Sequence, residues 1–150
     1  MSTGTDLRTP TLEYVKTVGL FESTLGRCLY QPYDVAISTD GRIFVVNRCD
    51  IMAPVVRVSV CNLDEDYLAE FGHEAGDGKL MLPTALAFDS RDRLHVTDEH
   101  LHRVLVYDSS GNHLRNWGEL GDGEGEVNGP SGIAFDSDDH AYVVDQHNHR

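Results

Sequence analysis

Basic side chains are scarce in this sequence. Only 12 Lys and Arg stand against 25 Asp and Glu, giving a formal net charge of −13 over 150 residues. Phosphate backbones and anionic headgroups are held by clustered Lys and Arg. Nucleic acid and membrane partners are therefore not expected, and RNA binding through a basic face is disfavoured. No apolar run approaches the ~18 residues that cross a bilayer. Met1 to Pro10 lacks the apolar stretch of a secretory signal. Cysteine is sparse and odd in number, at Cys28, Cys49 and Cys61. Without an export signal these read as reduced thiols, and the expected location is cytoplasmic. Hydrophobic residues at 40 % are enough for one modest core.

Helical periodicity is missing as well, and a repeat takes its place. QPYDVAISTDGRIFVVN from Gln31, LPTALAFDSRDRLHVTD from Leu82 and GPSGIAFDSDDHAYVVD from Gly129 align without gaps. Each opens on X-Pro, runs through an apolar strand, crosses a polar turn and enters a second strand. The prolines at 32, 83 and 130 are 51 and 47 residues apart. The second half repeats too, RVSVCNLDEDYLAEFG from Arg57 matching RVLVYDSSGNHLRNWG from Arg103. Four strands in a period of ~45–50 residues are what a β-propeller blade requires.

The predicted strands are Asp34–Ile37, Ile43–Asn47, Val56–Cys61, Tyr67–Phe71, Ala85–Phe88, Leu94–Asp98, Val104–Tyr107, His113–Trp117, Gly132–Phe135 and Ala141–Asp145. An eleventh, Tyr14–Val18, resembles the fourth strands and is expected to complete a blade whose other strands do not precede it. Asp40-Gly41 and Ser110-Gly111 are hairpin turns in which glycine takes a positive φ. Asp138-Asp139 replaces Asp40-Gly41 in the third unit as a weaker substitute. A proline suits the first position of a strand, where no N–H is needed. Phe71 and Trp117 hold equivalent fourth-strand positions and are expected to pack between blades.

These segments resemble the NHL repeat, carried here by LPTALAFDSRDRLHVTDEHLHRVLVYD and GPSGIAFDSDDHAYVVDQHNHR. The first unit departs from the signature, with Asn47 for Asp and five extra residues before Arg57. The resemblance implies an all-β fold, a partial β-propeller of four-stranded blades over residues 14–150 behind a polar tail at 1–13. Propellers of this family are commonly closed six-bladed rings of roughly 270–300 residues at this repeat length. A fragment of a longer protein is thus expected. The alternative is a natural half-ring, and only then an oligomer, because open blade edges aggregate.

Several constellations are candidates for chemistry. His100 with His102 and His147 with His149 recur in register, and imidazoles two apart can converge on zinc; equally, they are polar loop residues of the repeat. Asn47, Asp98 and Asp145 end second strands opposite Arg57, Arg103 and Arg150, which reads as a structural acid–arginine pair in each blade. Asp122, Glu124 and Glu126 alternate somewhat like a calcium loop, although D-x-D-x-D-G is absent. The insertion after Asn47 breaks the repeat, and loops on rigid scaffolds carry specificity, so Arg48 and Asp50 are binding candidates.

Among enzymes, the peptidyl-hydroxyglycine amidating lyase offers the comparison. Its zinc ligands follow the blade prolines, where this chain has Tyr33, Thr84 and Ser131. Arg48 matches that enzyme's catalytic Arg, Asp34 an Asp, and His100 roughly its Tyr. No gluconolactonase-type metal set, Gly-x-Ser-x-Gly elbow or P-loop is found. Fold alone does not fix function. The expected function is a non-catalytic binding or scaffold module for a protein or peptide, with binding residues among Asp34, Arg48, Asp50, His100, His102, His147 and His149. A metal-dependent lyase or hydrolase is the alternative. No cofactor is expected from the residues present; zinc or calcium in a longer protein stays open.

Overall fold

The computed structural model describes residues 13–19, 29–48 and 56–150. Ten strands follow in chain order: β1 (Pro32–Ile37), β2 (Ile43–Asn47), β3 (Arg57–Cys61), β4 (Tyr67–Phe71), β5 (Pro83–Phe88), β6 (Leu94–Asp98), β7 (Arg103–Tyr107), β8 (His113–Trp117), β9 (Pro130–Phe135) and β10 (Ala141–Asp145). They form two four-stranded antiparallel sheets, β1-β2-β3-β4 and β5-β6-β7-β8, and a β9-β10 pair. These are two blades and the inner half of a third. Each proline opens its strand, and each inner pair is irregular just beyond it, between Pro32 and Asp34, Pro83 and Ala85, and at Asp145 opposite Pro130. No helix of the described residues is long and apolar enough to cross a membrane.

Period-two alternation sends side chains to opposite faces of a blade. From β2, Phe44 and Val46 join Val58, Val60 and Phe71 against Leu86, Leu94, Val96, Leu105 and Tyr107 of the second blade. Gly111 lies so close to Phe71 that an added Cβ would stand 2.5 Å from its ring, and its φ of +87° also favours glycine. The central strands β2 and β6 are buried throughout, because a blade lies on one or both faces.

Two of three like positions set the seams, and the third, Tyr142, is exposed. Phe44, His95 and Tyr142 are the second residues of β2, β6 and β10. At the first seam Phe44 meets Phe71 at 6.3 Å and Phe88 at 5.0 Å between ring centroids. At the second, His95 meets Trp117 at 6.2 Å and Phe135 at 4.7 Å. Phe71 packs between blades, its ring 4.9 Å from that of Tyr107, whereas Trp117 rests on His95 of its own blade and lines a gap that faces the third.

One expected element is corrected. Residues 13–19 form no strand, since a strand exists only through a ladder with a neighbour. Instead Lys16 reaches the Leu63 carbonyl at 2.7 Å and Glu65 at 3.5 Å. Val18 and Leu29 rest on the outer face of the first blade, against Ile43, Val45 and Cys61. A cavity of about 470 Å³ remains there beside Val35 and Ile37. Cys61 is a free, buried thiol.

Candidate functional site

The site with the most converging chemistry lies where second strands end. Arg48 follows β2 and Glu99 follows β6, so the repeat brings them to the same edge of adjacent blades. Their side chains form an ion pair, Nη2 to Oε2 at 3.1 Å. The Arg48 guanidinium also lies over the Tyr33 ring, 4.8 Å from its centroid, a cation–π contact on the exposed first strand. Both charged groups are largely shielded, at 16 % and 27 % side-chain exposure, which strengthens their pairing over a surface bridge. Tyr33 and Glu99 were not picked out as partners from the sequence. Only the aligned strand ends, Asn47-Arg48 and Asp98-Glu99, carried that signal.

Asp34 is near but committed. Its Oδ1 accepts the Val35 amide at 2.9 Å, and its Oδ2 accepts the Leu86 amide of the second blade at 2.9 Å. The carboxylate therefore joins β1 to β5. Asp50 lies outside the described residues.

The four candidate histidines do not converge. His100 is exposed. His102 takes the Gly129 amide on Nδ1 at 3.1 Å, and the His147 ring packs on the same glycine. His149 adopts a left-handed φ of 57° and caps a single turn of 3-10 helix, Gln146–Asn148. Among the described residues no three His, Cys, Asp or Glu side chains stand together as metal ligands.

The calcium-like loop folds around a cation of the chain's own. Arg150 donates to the carbonyls of Asp122, Gly123 and Glu126 at 2.9, 3.1 and 3.0 Å. Glu126 turns back to accept the Gly123 amide at 2.7 Å.

The acid–arginine pair forms in only one unit. Asp145 meets Arg150 at 2.9 Å. Burial opposes ionisation of Asp145, but the Asn128 amide, the Asn148 side chain and Arg150 outweigh it and hold its carboxyl below the usual range. In the second blade Asp98 instead accepts the amides of Met81, Leu82, His100 and Leu101. Arg103 accordingly turns to the Leu101 carbonyl. In the first blade Asn47 accepts from the Tyr30 amide and donates to Ser59, while Arg57 pairs with Glu70 at 3.1 Å. The position serves to tie the loop to the strand end, and an arginine partner is optional.

Comparisons agree with this architecture. Residues 127–150 match the NHL repeat. The fold is similar to a catalytically inactive virginiamycin B lyase from Staphylococcus aureus with quinupristin, at 15 % identity and a TM-score of 0.62, covering 87 % of this chain and 39 % of that one. A streptogramin B lyase gives a TM-score of 0.61 at 15 % identity, covering 87 % of this chain and 38 % of that one. The chain thus spans under two-fifths of the length of these structures. No curated protein sequence matches it. At such identity the likeness speaks for fold alone, a partial β-propeller in which residues 127–150 match the NHL repeat.

Proposed function

We propose that the chain is a non-catalytic binding module that presents the loops after its second strands to a peptide or protein. The Arg48 guanidinium, framed by Tyr33 and Glu99, carries this reading. A planar cation fixed by an aromatic face and a shielded carboxylate is preorganised, so little side-chain entropy is lost when a ligand carboxylate or carbonyl approaches. Asp34, the acid beside Tyr33, is spent on main-chain N–H groups, one of them on the second blade. A catalytic acid or base needs a free proton site. The second reading, a metal-dependent lyase or hydrolase resembling the amidating lyase, draws on the position of Arg48 and on the lyases that share the fold.

The test is capture on an array of immobilised peptides with free or amidated C-termini. Peptides that hold the wild-type chain and lose it with Arg48→Ala support binding at this face. Equal capture by Arg48→Ala and wild type overturns it.

A further inference from the structure

In the second seam a titratable ring stands where the first has Phe44, and an indole where the first has Phe71. His95 is buried, at 3 % exposure. Its Nδ1 accepts the indole Nε1–H of Trp117 at 3.3 Å, and its Nε2 faces Asp89 Oδ2 at 3.3 Å. An indole N–H only donates and an ionised carboxylate only accepts. The two contacts together therefore fix one neutral tautomer, with the proton on Nε2. The ring also stacks edge-on against Phe135 of the third blade.

We propose that His95 is a pH-operated latch at the seam of the second and third blades, holding Trp117 of its own blade through its neutral ring while it packs on Phe135 of the third, and releasing Trp117 on protonation. A proton can enter only at Nδ1. There it turns acceptor into donor, and two N–H groups then oppose each other across the Trp117 contact. The imidazolium keeps Asp89, now as an ion pair, so protonation gives up Trp117 and strengthens the contact on the other side of the ring.

The charged groups facing this ring are Asp89 and Arg93 before β6, Arg115 of β8 and Asp139 of the β9–β10 turn. Asp89 is already engaged by Arg93 at 2.6 Å. Arg93 and Arg115 oppose a third positive charge, while Asp89 favours it. Burial is the largest influence and pushes the imidazole below its usual value of 6.5. A depressed histidine contributes stability in full above the unfolded value and loses it as pH falls below. Acid therefore weakens this seam and leaves the Phe44 seam alone.

Trp117 is the chain's one tryptophan, so its indole signal reports on this contact alone. The experiment follows its Nε1–H resonance, its emission and the His95 ring protons in the full chain between about pH 7.5 and 4.5. Expected are a reversible indole shift and a red-shifted emission with a midpoint below 6.5 that coincides with His95 titration. His95→Phe, which copies the first seam, and His95→Gln, which keeps hydrogen bonding without titrating, should both lack the transition. An indole that does not respond, or that responds at a midpoint different from His95, overturns the latch in the wild-type chain alone. So does a transition retained in both variants.

Discussion

Asp139 of the third blade accepts the main-chain amide of Ser90 in the second, Oδ1 to N at 2.8 Å. Asp92 of the second blade does the same for Thr39 of the first, at 3.0 Å. Both aspartates hold positive φ, 64° and 59°, in the turn where the first blade has Gly41. Aspartate is more than a weak stand-in for glycine here. Its carboxylate binds the neighbouring blade, and the backbone strain is tolerated in return.

Replacing Asp139 by Gly should relieve the turn yet loosen the third blade. Asn, which tolerates the same φ and keeps an acceptor, should lie between the two. Thermal midpoints ordered wild type, Asp139→Asn, Asp139→Gly check this. A midpoint raised by Asp139→Gly would show that strain outweighs the lateral bond.

Asp98 gathers four amides at the end of β6 and is fully buried. Asp98→Ala leaves four part-buried amides without their acceptor and should cost about 3 kcal/mol in urea unfolding. Asp98→Asn, the choice the first blade makes with Asn47, should recover part of that loss.

Phe71 and Trp117 are equivalent in sequence but not in burial. Phe71 is enclosed by the second blade, at 5 % exposure, whereas Trp117 is only part-buried. Phe71→Ala should cost about 3–5 kcal/mol and Trp117→Ala about 2 kcal/mol. Unfolding curves with the reverse ranking would contradict the seam packing.

Asp136 caps the β9–β10 turn. The His140 amide, its strongest partner, with the His140 ring, the Asp138 amide and Tyr142, brings its pKa down to about 2. With the folded value depressed, its contribution is present above the unfolded value near 3.8 and is lost as pH falls toward 2. A carboxyl-carbon NMR titration should find Asp136 still ionised at about pH 3. Asp136→Asn should flatten the acid limb of the stability profile across that window.

The blade pattern was legible because each strand carries its own alternation, and the prolines and turn residues mark its ends. Ten of eleven expected strands stand within two residues of their place. The eleventh, Tyr14–Val18, had the right local sequence but no partner strand, and pairing is a tertiary property. The site was less legible. Arg48 stood out at a break in the repeat, but Tyr33 and Glu99 reach it from another strand and another blade. The histidine pairs looked alike in sequence, yet the backbone left-handed turns at His102 and His149 spend them on loop geometry. His95, hidden in an ordinary β6 alternation, had no local signal at all. Its meaning comes from Trp117 two strands away in the same blade and from Phe135 across the seam.

Side-to-side packing of like blades sets every site described, since it brings Glu99 to Arg48 and Phe135 to His95. The most direct test is a nuclear Overhauser measurement between the Phe71 ring and the Hα protons of Gly111, 40 residues later on the next blade. The packing predicts a strong cross-peak and ring-shifted Gly111 Hα resonances that return toward ordinary values in Phe71→Leu. A Phe71 ring whose contacts stay within the first blade, beside an unshifted Gly111, would contradict it.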